Sequence, residues 1–532
     1  MGFAGQRGGP RVECGHPGGG GGGGGGARLT TPRRSFFYRL QKYAFRKFPS
    51  FIPDPERLEI LTASRKWDEE KNTSTEPPPD ELIDLRCIWA VELYAPEQAG
   101  QLLSWFEKLG WNTVDTLITG HSPTRWIQRL RETAYGGGWF NLGPIHRPGD
   151  RRFLHAGRSA QLPPEVDYAL ASMYSLTSSL TCIVIGFVLD KTYSARLDES
   201  IRRKRETVIE PLTRGGYHLL GPDFQKTTDI RTIRAAMRES ATNWFRTNLP
   251  GIFAGGLLEN EFPTCEFLTL RSIQPFPTSG EVEGKDKDWL RLLNVDTDID
   301  AWEADSLRSL KFDWLLSRDE KSRFHAVVAA KEDAFPEEKL RTYGGGDRAS
   351  YVVYVDDIMN GLLSRWALLC MLLGFERHLN NIRDSAKFKP TKKEDPLHLL
   401  RELSGHVSQS VDIAIASAEL RHFAEQKASF EHDLETFKPS DTRFYRDKDI
   451  TLNQVLQKQI HERSEWLKNL DRSVRDRLVQ YGTILGTREN IKLQNHMSKL
   501  TWVILVLTLL MTALTVLTVY IAAKAGGIHF PW

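Results

Sequence analysis

Cysteine is scarce and scattered in this chain. Five occur in 532 residues, at Cys14, Cys87, Cys182, Cys265 and Cys370, and the nearest two stand 73 positions apart. That spacing excludes a C-x-x-C pair and any zinc-ligand pattern, and it reads as reduced, mostly buried thiols in a cytosolic setting. An excess of charge of one sign is also lacking. Lys and Arg number 71 against 68 Asp and Glu, a net charge of +3, too near zero to call for nucleic acid as a partner. No signal peptide opens the sequence. The first thirty residues are rich in Gly, Pro and Arg, with nine consecutive glycines at 18–26, and a segment of that kind is expected to be disordered because it has no apolar area to bury.

Catalytic fingerprints are missing as well. There is no G-x-G-x-x-G opening a helix after a strand, no G-x-S-x-G, no H-E-x-x-H and no clustered Cys/His pair. "GEVEGKDK" at 280–287 has three residues between its glycines, and Asp286 stands where a Ser or Thr must reach magnesium. "DTDIDAWEADSL" at 296–307 begins like a calcium loop with Asp296, Asp298 and Asp300. Ala301 then takes the glycine turn position and Leu307 the bidentate glutamate position, so capping of a following helix by Asp298 or Asp300 is the preferred reading. No cofactor and no metal are expected. "RELSGH" places Arg401 and His406 at the R-x4-H spacing of HEPN-type ribonucleases. Two fixed residues of this sort are more often a solvated Arg and a packed His, since acid–base work needs further partners.

What the chain does have is one long apolar run. Residues 500–523 carry no charge, and a helix of about 20 residues crosses the roughly 30 Å hydrocarbon layer of a bilayer. Trp502 and Tyr520 lie near its two ends, where amphipathic rings favour the interface. Arg488, Lys492 and Lys499 precede it and only Lys524 follows. The charge bias therefore predicts a single-pass, C-terminally anchored protein of the cell membrane with its N-terminal bulk in the cytoplasm. The uncharged run 168–189 contains six Ser or Thr, and its apolar block is confined to 182–189, which reads as a buried strand rather than a second span. Overall 40% of residues are hydrophobic and 26% charged, as in a soluble globular body.

The fold class expected is α+β: a mixed sheet with covering helices, then long antiparallel helices forming a stalk that continues into one transmembrane helix. Strands are expected within 86–94, 180–190, 264–271, 324–332 and 349–357, and helices after 94, after 190, and near 226–248 and 299–317. Glycine clusters at 136–138 and 344–346 mark loops. From Asp357 no strand signal remains, and helices are expected over about 357–387, 397–437 and 451–523. The domain layout is then a Gly-rich tail (1–30), a basic aromatic helix and linker (31–81), an α/β domain (82–356), a coiled-coil stalk (357–499), the span (500–523) and a short extracytoplasmic tail (524–532). Residues 28–48 hold seven Lys or Arg and no acid, interleaved with Phe36, Phe37, Tyr38, Tyr43, Phe45 and Phe48. The preferred reading is a docked helix with its basic face in water; the alternative is a helix lying on an anionic membrane surface.

The last helix has an apolar seam at Ile460, Leu467, Leu470, Val474, Leu478, Tyr481, Ile484 or Leu485, and Ile491, to be filled by a neighbouring helix or by a second copy of the chain. Beside it Thr487, Gln494, Thr501, Thr508 and Thr515 recur every seven residues with Thr512 on the same face. Helix packing is the preferred use of this transmembrane polar face and pore lining the bolder one. The junction "QNHMSKLT", with Met497, Leu500 and Thr501, resembles the stalk-to-span junction of the CorA-type divalent cation transporters over about the last seventy residues. The resemblance implies a shared scaffold with an oligomeric stalk. The Gly-Met-Asn signature and second span of that family have no counterpart here. The expectation is thus an oligomeric sensor, scaffold or binding module whose partners are the lipid bilayer and other copies of itself, and not an enzyme. The alternatives are a CorA-like transporter or pore using Thr501, Thr508, Thr512 and Thr515, and a membrane-tethered nuclease using Arg401 and His406.

Overall fold

Twelve strands and thirteen helices are built from the described residues, which in this computed structural model are 36–48, 51–52, 54–112, 122–132, 137–150, 158–211, 217–255, 258, 262–278, 287–314, 324–344, 346–385, 413–441 and 449–525. The chain divides into two compact units, Met1–Trp67 with Thr207–Leu219, and Asp68–Glu206 with Leu220–Trp532. In the smaller unit lie α1 (Phe36–Lys47), the start of α2 (Pro55–Ser74), and the strand pair β6 (Val208–Pro211) and β7 (Tyr217–Leu220), where the Tyr217 hydroxyl donates to Asp54. Phe36, Phe37, Leu40 and Tyr43 are exposed, while Tyr38, Gln41, Lys42 and Phe45 are half-buried.

The larger unit is organised around a ten-stranded sheet. Its strands are β1 (Ile83–Tyr94), β2 (Gly138–His146), β3 (Arg158–Ser159), β4 (Val166–Ser175), β5 (Thr181–Leu189), β8 (Thr264–Leu270), β9 (Trp302–Ala304), β10 (Lys311–Asp313), β11 (His325–Lys331) and β12 (Phe437–Pro439). They run in the order β12-β9-β10-β11-β8-β1-β5-β4-β2-β3, antiparallel except for the β11/β8 and β2/β3 pairs. Every residue of β5 and β8 is buried. A strand covered on both faces reads as a continuous apolar run, which is why "TCIVIGFVL" shows no alternation. The reading of 182–189 as strand holds, and its partner β4 makes a hairpin of the whole 168–189 stretch.

Period-two alternation along β1 sends its side chains to two helical layers. Trp89 bonds Asp356 of α10 (Arg348–Ser385), whereas Glu92 meets the backbone of Phe253 and Ala254 in α7 (Ile252–Gly255), and Tyr94 donates to the Leu249 carbonyl after α6 (Pro222–Asn248). The remaining helices are α3 (Pro96–Lys108), α4 (Pro123–Glu132), α5 (Lys191–Arg202), α8 (Lys287–Leu292), α9 (Glu337–Thr342), α11 (residues 413–425), α12 (Lys427–Glu431) and α13 (Leu452–Ala525).

Several expectations need correction. Residues 349–357 are the first turns of α10 and not a strand. Asp347 sets the start by accepting the Ser350 backbone N–H at 2.9 Å, and burial of Val352 and Val355 overrides their β preference. In place of the helix expected at 299–317 stand two short strands, β9 and β10, near one end of the sheet. Trp302 and Ala304 alternate with half-buried Glu303, and the turn at Leu307–Leu310 lends the stretch a false helical spacing. No helix follows Asp298 or Asp300 for either to cap. Beyond Asp357 a strand does exist: β12, three residues long and therefore too short to show periodicity, pairs with β9. The helix expected over 397–437 is interrupted at Gln426 and ends by Glu431, and Asp433 has φ +57°. Gly138, expected in a loop, begins β2 beneath Leu130 and Trp126.

The 74-residue α13 is continuous, about 110 Å at 1.5 Å per residue. Its first part buries Leu452, Leu456, Ile460, Leu467, Leu470 and Val474 in the core alongside α10, so the chain's own helix fills that part of the seam. Ile491 is exposed. Cys87, Cys182, Cys265 and Cys370 are free and buried.

Candidate functional site: an apolar helix, buried charges and an acidic cleft

Among the described residues two helices are long and apolar enough to cross a membrane, and packing separates them. The most apolar window of the α10 segment Arg348–Asp384 is 94% buried, whereas that of Asn490–Ala525 is 0% buried. The first is the core helix of the sheet. The second exposes Leu500, Trp502, Leu505, Leu509, Leu517 and their neighbours all round, an area water would penalise by about 25 cal/mol per Å².

The threonines predicted there lie where the spacing put them. At about 100° per residue, Thr501, Thr508, Thr512 and Thr515 fall within an arc of about 60°. Each hydroxyl donates to the carbonyl four residues earlier, to Met497, Ile504, Thr508 and Met511 at 2.8–2.9 Å. Those hydrogen atoms are satisfied within the helix, so the residues sit in an apolar medium at small cost. Arg401 and His406 lie outside the described residues, as do residues 280–286.

Charged groups are also held deep in the larger unit. Glu92 is fully buried and accepts the backbone N–H groups of Leu93, Phe253 and Ala254 at 2.8–2.9 Å, and burial raises its pKa to about 8 against the pull of those donors. Gly251 is required beside it, since a Cβ there would stand 2.4 Å from the Leu93 carbonyl oxygen and 2.8 Å from the Glu92 carboxyl carbon. Asp356 accepts from Trp89 Nε1 and Asn360 Nδ2, both at 2.7 Å, and burial lifts it to about 7. Glu266 pairs with Arg234, whose other nitrogen donates to the Leu293 carbonyl at 3.0 Å. His325 lies 3.4 Å from Glu266, and burial, with Arg238 and Arg234 nearby, holds its pKa well below the ordinary imidazole range. Asp84 is clasped by Arg348 at 2.9 and 3.0 Å; burial opposes its ionisation, but these partners keep its pKa below the usual value. These groups join strands to helices. Among the described residues no three His, Cys, Asp or Glu side chains are grouped to hold a metal ion.

The surface opening with the chemistry of a binding site is a cleft of about 760 Å³. It is lined by Ser306, Glu338, Lys339, Tyr343, Tyr354, Asp357, Asp433 and Glu435, with Pro336, Ile358 and Leu434 as its apolar part. Four carboxylates face one lysine. The Tyr343 and Tyr354 rings stand 5.7 Å apart, and Tyr343 is pushed up to about 12, chiefly by burial and then by Asp357, which it hydrogen-bonds. The volume falls in the range of small-ligand sites, and carboxylates beside aromatic faces favour a cation by Coulomb and cation–π attraction. This site is not legible in the sequence because α9, α10 and the segment after α12 contribute its walls. Its one sequence signal is "YVDD", which puts Tyr354 and Asp357 three apart on a helix.

Comparison with protein-family models, with curated proteins and with solved structures returns no match for this chain.

Proposed function

We propose that this protein is a membrane-anchored binding module. The stretch 500–523 lies in a bilayer, the folded units face the cytoplasm, and the acidic, tyrosine-lined cleft receives a cationic ligand such as a polyamine or a lysine- or arginine-bearing peptide. The observation that carries the reading is the contrast between two apolar helices of similar length, one packed into the core and the other left wholly uncovered. Orientation rests on Arg488, Lys492 and Lys499 on one flank of the span against Lys524 on the other. Self-association through the part of α13 between Val474 and Leu500, as in a CorA-type stalk, belongs to the same proposal. The internal bonding of the threonine hydroxyls leaves no unsatisfied donor on that face, and helix packing is the use proposed for it.

The test uses the full chain in proteoliposomes with the folded units outside. Spermine and an oligo-arginine peptide should bind, an oligo-glutamate peptide should not, and Asp357→Asn with Glu435→Gln should weaken binding about tenfold or more. Equal binding by the double variant would remove the cleft from the proposal.

A further inference from the structure

Helix α1 presents its wrong face to water. A helix docked on a protein body normally hides its apolar stripe and exposes its charges. Here Phe36 and Phe37 are 75% and 76% exposed, Leu40 and Tyr43 more than half, and Phe48 and Phe51, just beyond the helix, are exposed too. At about 100° per residue, Phe36, Leu40, Tyr43 and Phe37 occupy one contiguous arc of about 120°. Lys47 falls inside that arc and Arg39 about 40° outside it, and both are exposed. Of the half-buried residues, Tyr38, Gln41, Lys42 and Phe45 lie on the other side, and the small Ala44 falls within the arc. Between Arg28 and Phe51 the sequence contains no acidic residue.

We infer that α1 is a second membrane contact, an interfacial helix that lays Phe36, Phe37, Leu40 and Tyr43 into the headgroup boundary of an anionic leaflet. The proposal rests on the anchoring reading, which tethers the same chain to a bilayer. Charge complementarity selects the occupant. Cations interleaved with aromatic rings suit phosphate-bearing headgroups, because the basic heads reach the phosphates while the rings occupy the interface. Each basic residue near such a leaflet favours the bound state by about fivefold, and one amphipathic helix on an already tethered chain binds without needing high intrinsic affinity.

The full chain, reconstituted in vesicles of phosphatidylcholine alone or of phosphatidylcholine with phosphatidylserine, is assayed by flotation and by amide hydrogen exchange. The expected result is that the chain floats with both, and that exchange over 36–47 slows about tenfold more on the anionic vesicles. That gain should vanish in Phe36→Ser/Phe37→Ser/Leu40→Ser/Tyr43→Ser and shrink in Arg39→Gln/Lys42→Gln/Lys47→Gln, with exchange of the central strands unchanged in both. A chain that floats while α1 exchanges equally on the two vesicles overturns this inference alone. Protection that follows protein density instead of lipid charge also overturns it, by assigning the face to a second copy. A chain that floats with neither overturns the anchoring and this inference together.

Discussion

Asp356 offers a perturbation whose size and sign follow from geometry. Its carboxyl is fully buried, bonded to Trp89 and Asn360, and carries a pKa of about 7 where an unfolded chain has about 3.8. Between those values the folded chain keeps a proton that the unfolded chain has lost. A raised carboxyl therefore stabilises most at low pH, and its contribution falls by about 1.4 kcal/mol for each pH unit up to about 7. Over the whole window the loss is of the order of 4 kcal/mol. Asp356→Asn mimics the protonated form. The Asn360 amide can turn to offer Oδ1 to the new amide only by giving up its Nδ2 bond to Ser172 Oγ at 3.2 Å, so the variant should fold with a pH-independent penalty of about 1–3 kcal/mol. Denaturant unfolding in detergent at pH 5, 6, 7 and 8 checks this. The stability of the variant relative to the parent should rise with pH up to about 7 and then level off. Glu92, raised to about 8, also changes protonation within this range, but it is present in both proteins and cancels in the difference. A difference that is the same at all four pH values would refute the reasoning.

Other outcomes follow from the same packing. Gly186→Ala would place a Cβ 2.7 Å from Trp89 Nε1 and 3.2 Å from Asp356 Oδ1 in a fully buried layer, and should lower stability by about 1–3 kcal/mol in a melting experiment. Arg234→Met alone leaves Glu266 buried without its main partner and should cost about 3–5 kcal/mol, whereas Arg234→Met with Glu266→Leu should recover most of it; a double-mutant cycle measures the difference. Replacing Thr501, Thr508, Thr512 and Thr515 together by Leu should leave bilayer insertion intact, since their hydroxyls bond only within the helix. Loss of ion flux in liposomes on that replacement would instead support pore lining.

The parts of the fold legible in the sequence are those where one force dominates. β5 and β8 are covered on both faces, so burial alone dictates their β-branched and aromatic runs. α13 is legible because four threonines and a leucine-rich surface repeat over many turns. The start of α10 was not legible, because "SYVVYV" has strand composition and its helical state is decided by the Asp347 cap and the layer beneath. β9, β10 and β12 take their state from one another, and three residues are too few for a period to emerge. The buried charges were invisible for a different reason. Arg234, Glu266 and His325 come from α6, β8 and β11, and nothing local to any of them announces the others. The cleft shares that difficulty, since Tyr343, Asp357 and Glu435 converge only once α9 and α10 have packed.

The central claim is that residues 500–523 reside in lipid. Flotation of the full chain with vesicles after an alkaline carbonate wash tests it most directly, because that treatment strips proteins held only by surface charge. The account expects the chain to remain with the lipid, as burial of some twenty apolar side chains requires. Recovery of folded chain in the lipid-free fraction would contradict it.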